Sequence, residues 1–166
     1  MLVNEVLLKE MDPDPRLLVS MELFASSMLE STERARFISL ISSLEPLASQ
    51  EPYDNQEVGR MISELIGRIA QIDLPTNTRE SIATRARDLT RESISQSIVR
   101  LVGNHIPESH NATTAVKEAY GIRSKILHQG SCDVDLTEKS RQLAEIIRCL
   151  YSRILQLQLL VPTTFT

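Results

Sequence analysis

The chain has 166 residues, a formal net charge of −4 at pH 7 and an apolar content of 42%. This length suits one domain with a real core, and the negative net charge excludes a global basic field that would drive binding to nucleic acid. Five glycines and no tryptophan favour helices, because sheet proteins need glycine in their turns and aromatic residues in their strands.

The sequence contains no recognisable targeting or membrane segment. The N-terminus, MLVNEVLLKEMDPDP, lacks the basic start and the long apolar run of a secretory signal. No segment approaches the roughly 18 consecutive apolar residues of a membrane helix. Cys132 and Cys149, the only cysteines, are expected to be reduced thiols. We therefore predict a cytoplasmic protein without a membrane partner.

Two helices are predicted in the first third of the chain. The first begins at Asp14, which has the chemistry of an N-cap, with Pro15 at the first helical position. Its apolar stripe is Leu18, Met21, Ala25, Met28 and Leu29. The second helix opens at Ser31 and runs through STERARFISLISSLEPLA, with an apolar face made of Phe37, Ile38, Leu40, Ile41, Leu44 and Leu47.

The middle of the chain carries two capping boxes. In the loop SQEPYDNQE, Asp54 stands three residues before Glu57 and precedes the cleanest periodicity of the chain, Val58, Met61, Ile62, Leu65, Ile66, Ile69 and Ile72. That helix is predicted to stop before Pro75. The second box, in NTRE, starts a long helix that continues to about Gly103.

The last third of the chain predicts two further helices. The stretch GNHIPESHNATT is a loop, and the next helix runs from about Ala112 to Gln129. Asp135 and Glu138 form a third capping box, and the final helix continues from there until Pro162.

These elements predict an all-α protein, an antiparallel bundle of five to six helices. The sequence contains no internal repeat, no low-complexity tract and no strand of persuasive length. Residues 1–166 are therefore predicted to form a single domain, with its core at about residues 17–160 and an N-terminal extension at residues 1–13.

Two charged residues lie on apolar helix faces. On a helical wheel of residues 112–129 at about 100° per residue, Arg123 falls near the middle of an apolar arc formed by Ala115, Val116, Ala119, Tyr120, Ile122, Ile126 and Leu127. Glu45 falls within the apolar arc of residues 31–48. A charge on a buried face needs a partner or water, so we predict an ion pair between Glu45 and Arg123 across the bundle.

His128 occupies a different position on the same helix. It lies about 140° around the axis from Arg123, in the last turn before Gly130. A helix C-terminus favours an imidazolium, and histidine is a common capping residue there. From the residues alone, Arg123 is either half of a structural salt bridge or a ligand for phosphate, and His128 is either a cap or a titrating group.

A metal site is the alternative use of the other two histidines. His105 and His110 lie in GNHIPESHN together with Glu108. A spacing of five residues in a proline-containing loop, without a further ligand cluster, favours surface residues over zinc ligands. We therefore predict no metal and no cofactor.

Arg123 and His128 carry a resemblance to a known family. The sequence R-SKIL-H near a helix end matches the R-x4-6-H signature of HEPN domains, and RFISLISSLEPL, which carries Glu45, resembles the preceding helix of the Apea-like HEPN branch. With KEAYGIRSKILHQG and the final helix, the resemblance covers roughly residues 17–160. It implies a helical bundle and, as in many HEPN proteins, a dimeric, metal-independent endoribonuclease of toxin or antiviral-defence type.

The resemblance also implies roles for individual residues. His128 would be the general acid/base acting on the ribose 2′-hydroxyl or the leaving oxygen, and Arg123 would bind the scissile phosphate. Three further residues would support them, namely Glu45, Ser124 and Tyr120. The implied partners are a second copy of the chain, RNA, and a cognate antitoxin or fused domain, whereas no DNA-specific contact is expected.

The chain departs from the family pattern at two positions. Ser124 stands where active members often carry Asn, Asp or His, and Gly130 stands where some toxin members carry Tyr. Members without catalysis act as dimerisation or RNA-binding modules. The alternative prediction is therefore a non-catalytic HEPN interaction module, in which Arg123 forms a structural salt bridge with Glu45.

Overall fold

The computed structural model describes residues 14–155 and shows seven α-helices within them. We number these helices α1 to α7 in chain order: Pro15–Ser27, Glu33–Ser42, Gln56–Gln71, Thr76–Asp88, Ile94–His105, His110–Gln129 and Leu136–Ile154. A 3-10 turn, Glu45–Leu47, follows α2. The predicted all-α class is confirmed, and the number of helices is slightly above the predicted five to six.

The chain divides into two compact units. Among the described residues, the first contains residues 14–49 and 98–155, and the second contains residues 50–97. The prediction of one domain over residues 1–166 stays a prediction. In the part of the chain that the structure describes, no helix combines the length and the apolar character needed to cross a bilayer.

The first unit is a helical bundle built around α2. This helix packs against α1, α6 and α7, and α6 also packs against α7. The buried apolar side chains of these helices and of the turn after α2 include Leu17, Phe37, Leu40, Ile41, Leu44, Val116, Ala119, Ile126, Leu143, Ile146, Ile147 and Leu150. The arginine-bearing helix α6 is therefore positioned by its contacts with α2 and α7.

The second helix is shorter than predicted, and this places Glu45 in a turn. The prediction continued the helix through EPLA, whereas α2 ends at Ser42 and Glu45 is the first residue of the 3-10 turn. Pro46 explains the difference, because proline has no N–H for a carbonyl one turn earlier and disfavours helical geometry at the preceding residue. The N-cap is Thr32, whose hydroxyl accepts a backbone N–H, rather than the predicted Ser31.

The first helix begins as predicted but buries a different face. Asp14 is the N-cap of α1 and accepts the Arg16 N–H, and Pro15 is the first helical residue. Most of the predicted stripe is exposed, namely Leu18, Ala25, Met28 and Leu29. The buried residues of α1 are instead Leu17, Ser20 and Ser27. Both serines tolerate burial because their hydroxyls donate to backbone carbonyls.

A buried polar contact joins α1, the end of α2 and α7. Ser20 Oγ donates to the Ser43 carbonyl at 2.6 Å and lies 2.8 Å from the Tyr151 hydroxyl. The Phe24 ring meets the Tyr151 ring edge-on, with centroids 5.6 Å apart. Burial raises the pKa of Tyr151 above its ordinary value of 10.0, although the hydrogen bond with Ser20 acts in the opposite direction.

We expect the raised pKa of Tyr151 to make the protein lose stability in alkaline solution. Because the folded state favours the neutral phenol, its contribution to the free energy of unfolding is complete below about pH 10 and is lost as the pH rises through the raised pKa. Urea denaturation at increasing pH measures this loss. Tyr151→Phe is the control and is expected to lose stability less steeply; equal slopes for the two proteins would contradict the prediction.

The second unit contains the helix pair α3 and α4. Its buried apolar cluster consists of Ile69, Ala83 and Ala86, with Ile66 packed against them. The N-cap of α3 is Asn55, whose side chain accepts two backbone N–H groups, rather than the predicted Asp54. α3 ends before Pro75 as predicted. Pro75 itself is the N-cap of α4 without a side-chain hydrogen bond, so the predicted NTRE capping box does not form.

The long helix predicted from NTRE to about Gly103 is interrupted between α4 and α5. In the intervening segment, Arg91 forms an isolated β-bridge with Pro52. α5 then follows a true capping box, in which the Gln96 N–H donates to Ser93 Oγ and the Ser93 N–H donates to Gln96 Oε1. Backbone pairing with the loop before α3 overrides the local helical tendency here.

The final helix begins at the predicted capping residue. Asp135 is the N-cap of α7, and its side chain accepts the N–H groups of Thr137 and Glu138. The predicted end of this helix at Pro162 and the predicted N-terminal extension at residues 1–13 both lie outside the described residues.

Candidate functional site

Both residues of the candidate motif lie on α6. The N-cap of this helix is Ser109, whose hydroxyl accepts the Ala112 N–H at 3.2 Å, so the helix starts at His110 rather than at the predicted Ala112. Its buried face consists of Ala112, Val116, Ala119 and Ile126. Gly130 ends the helix with a φ of 74°, and its N–H donates to the Ile126 carbonyl at 2.9 Å.

The predicted ion pair between Arg123 and Glu45 is confirmed. Arg123 Nη2 lies 3.0 Å from Glu45 Oε1, and the two side chains are 20% and 33% exposed. The contact forms because α6 packs against α2, and Glu45 lies in the turn that follows α2. The two charges on apolar faces therefore compensate each other at the edge of the core.

The Arg123 guanidinium is held from two sides but is not saturated. Its Cζ lies 5.4 Å from the centroid of the Tyr120 ring, a cation–π contact one turn earlier on the helix. Arg123 Nε and Glu45 Oε1 are shielded from solvent, and neither has a hydrogen-bond partner. The 3.0 Å contact is thus an ion pair without an aligned hydrogen bond. Since a guanidinium has five N–H donors, Arg123 keeps donors for a further acceptor.

His128 lies apart from Arg123. It is exposed in the last turn of α6 and makes no hydrogen bond or ion pair within residues 14–155. Five residues of an α-helix correspond to about 7.5 Å along the axis and about 140° around it. The two side chains therefore leave α6 in different directions.

Two of the three predicted supporting residues contact Arg123. Glu45 forms the ion pair and Tyr120 provides the cation–π contact. Ser124 is half-buried, and among the residues that the structure covers its hydroxyl has no hydrogen-bond partner. Ser124 therefore does not orient the guanidinium in this structure.

We expect Gly130→Ala to destabilise the protein by about 1 kcal/mol, because an L-residue is strained in the left-handed region. The φ of 74° is the cause, since an added Cβ meets no atom within 4 Å. Urea denaturation measures the change in the free energy of unfolding. Gly121→Ala on the same helix also has space for a Cβ and is expected to stabilise by about 0.5–1 kcal/mol. Equal effects of the two substitutions would refute the backbone explanation.

A cavity of about 240 Å³ adjoins the C-terminal end of α6. Its lining consists of Ile122, Lys125, Gln129 and residues 131–134. Neither Arg123 nor His128 belongs to that lining. No sequence pattern predicts this cavity, because a short polar loop such as SCDVD indicates only a connection between helices.

The other two histidines occupy separate environments. His105 ends α5, and its Nδ1 lies 2.9 Å from the Leu101 carbonyl, which requires that nitrogen to be the donor. His110 is exposed at the start of α6, and Glu108 pairs with Arg153. Across residues 14–155, no three His, Cys, Asp or Glu side chains are grouped as ligands for a metal ion.

Comparison with known proteins adds no family assignment. No protein-family model matches the chain, and neither a curated protein nor a solved structure is significantly similar to it. The candidate site therefore rests on the geometry of Arg123, Glu45 and His128.

Proposed function

We propose that the chain is a HEPN-type, metal-independent endoribonuclease of toxin or antiviral-defence type, which cleaves RNA through the ribose 2′-hydroxyl. His128 acts as the general acid/base, a role that suits histidine because its charge changes near neutral pH. Arg123 binds the scissile phosphate and stabilises the charge that develops on it.

The observation that carries this proposal is the way Arg123 is held. The Glu45 ion pair and the Tyr120 ring restrict the guanidinium, while part of the side chain stays exposed. Donors that are oriented before the reaction stabilise a transition state better than donors that must reorganise. Glu45 and Tyr120 are therefore positioning residues in the proposed mechanism.

A second copy of the chain completes the proposed site. Within one protomer, Arg123 and His128 differ in direction by about 140°. An isologous interface beside the end of α6 brings Arg123 of one protomer towards the partner's His128, and its symmetry creates two such sites. Leu127 is an exposed apolar side chain at this end of the helix and supports an interface there. A cognate antitoxin or a fused domain would restrain the nuclease.

Cleavage of an end-labelled structured RNA in EDTA tests the proposal. We expect products with 2′,3′-cyclic phosphate ends, because the neighbouring 2′-hydroxyl is the nucleophile in this reaction. EDTA inactivates contaminating nucleases that require metal ions, so these do not contribute cleavage products. A folded dimer that leaves several different RNAs intact would refute the nuclease.

The ion pair also favours a second candidate function, a non-catalytic dimerisation or RNA/protein-interaction module. In that function Glu45 neutralises Arg123, and the pair fixes how α6 sits against the end of α2. The same assay separates the two candidates, because the module binds a partner without cleaving RNA.

A further inference from the structure

A larger cavity, of about 340 Å³, lies in the same helical unit and is lined by neither Arg123 nor His128. Its walls come from the end of α1, from α2 and from α7. Its apolar wall consists of Met28, Leu40 and Ala144, and its polar residues include Glu33, Ser140 and Arg148. The volume falls in the range of small-molecule sites, which combine an apolar wall with a few polar groups.

Two shielded polar atoms in this cavity have no partner. Ser140 is only 4% exposed, and its Oγ makes no hydrogen bond. Glu33 Oε2 is also shielded from solvent without a hydrogen bond, while Glu33 Oε1 pairs with Arg36. Buried polar atoms without partners are unfavourable. Both atoms are therefore suited to a ligand, Glu33 as an acceptor and Ser140 as a donor or an acceptor.

One of the three arginines that line the cavity is free of ion pairs. Arg36 and Arg141 are already engaged by carboxylates, namely Glu33, Glu138 and Glu145. Arg148 is exposed and forms no ion pair within the described residues. The lining contains one glutamate, Glu33, and its three arginines are balanced only when Glu138 and Glu145, which pair with Arg141 from outside the lining, are counted. The Arg148 Cζ lies 5.7 Å from the centroid of the Phe24 ring, a cation–π contact that leaves its N–H donors available. The cavity therefore presents one arginine without an ion pair and one unpartnered carboxylate oxygen to the same ligand.

We propose that this cavity binds a free α-amino acid with an apolar side chain. The ligand carboxylate pairs with Arg148, and the ammonium group donates to Glu33 Oε2. Ser140 donates its hydroxyl to the carboxylate. The apolar side chain of the ligand packs against Met28, Leu40 and Ala144. This binding is independent of the proposed nuclease.

The charge pattern favours this zwitterion over a phosphate group. A phosphate monoester dianion in this cavity would offer no donor to Glu33 Oε2. A zwitterion, in contrast, supplies an acceptor for Arg148 and a donor for Glu33 at once. The apolar wall then favours amino acids with an apolar side chain.

Titration of the full chain with L-leucine, followed by two-dimensional amide NMR, tests the proposal. Leucinamide lacks the carboxylate, N-acetyl-leucine lacks the ammonium group and glycine lacks the side chain. We expect saturable shifts around the cavity with L-leucine. Leucinamide and N-acetyl-leucine are each expected to bind at least about tenfold more weakly, since each loses a charge-assisted hydrogen bond. Glycine is also expected to bind more weakly, because it lacks the side chain that contacts the apolar wall.

Three variants assign the roles of the residues. Arg148→Gln is expected to weaken L-leucine binding about tenfold or more but to leave the affinity for leucinamide unchanged, since that ligand has no carboxylate. Ser140→Ala is expected to weaken binding about fivefold without lowering the melting temperature, because its hydroxyl is unpartnered in the free protein. Arg34→Gln is the matched control, an exposed arginine on α2 outside the cavity, with unchanged affinity.

The comparison of ligands on the wild-type protein keeps the test valid even where a variant fails to fold. The absence of saturable shifts with L-leucine overturns the proposal. Equal affinity for L-leucine and leucinamide does so too, because it removes the role of Arg148. Tighter binding of inorganic phosphate than of L-leucine would overturn the proposal and identify the cavity as an anion site.

Discussion

His128→Ala is expected to slow RNA cleavage by about 10²–10⁴-fold, the usual contribution of general acid–base catalysis. Arg123→Ala is expected to slow it by about 10²–10³-fold, the effect of deleting one donor to a transition-state oxyanion. Single-turnover cleavage of the end-labelled RNA measures both rates. Circular dichroism of each variant establishes that the fold is retained.

His110→Ala is the matched control for His128→Ala. Both histidines are exposed on α6, but His110 lies at its first turn and His128 at its last. The control is expected to cleave RNA at the wild-type rate. Wild-type activity in a folded His128→Ala protein would remove the general acid/base from the proposal, and equal losses in both variants would show that the effect is unspecific.

Mixing the two inactive variants tests whether the site is shared between protomers. In a dimer of one Arg123→Ala chain and one His128→Ala chain, one of the two composite sites keeps both side chains. Random exchange is therefore expected to restore about a quarter of the wild-type sites. A mixture that stays inactive, although the chains exchange, would mean that Arg123 and His128 act within one protomer.

Glu45→Gln is expected to destabilise the protein by about 1–2 kcal/mol, because it leaves Arg123 at the edge of the core without its counter-charge. The effect is below the roughly 3–5 kcal/mol of a fully buried pair, since the two side chains are 20% and 33% exposed. For a chain of this length the melting temperature is expected to fall by about 2–8 °C. Urea denaturation gives the corresponding free energy.

Glu118→Gln is the matched control for this change. Glu118 pairs with Lys139 between α6 and α7, but its side chain is 54% exposed, so its removal is expected to cost at most about 0.5 kcal/mol. The double variant Glu45→Gln/Arg123→Met is expected to recover part of the lost stability, because it removes the uncompensated charge. An unchanged melting temperature in Glu45→Gln would show that water already compensates Arg123.

The helical class, several helix ends and the charged pair could be predicted from the amino-acid sequence. The caps at Asp14 and Asp135 were predictable because a capping side chain acts on N–H groups only two or three residues away. The pairing of Glu45 with Arg123 was predictable because a charge on an apolar face needs an opposite charge nearby, although Glu45 lies in a turn rather than on the predicted helical arc.

Features that depend on distant parts of the chain could not be predicted, because they arise from packing between helices and loops. The break between α4 and α5 comes from backbone pairing between Pro52 and Arg91, which overrides local helical periodicity. The buried face of α1 depends on the partners that Ser20 finds on other elements. The cavity of about 340 Å³ forms where side chains from the end of α1, from α2 and from α7 meet. The spacing of residues along one helix does not predict which residues of another helix will face it.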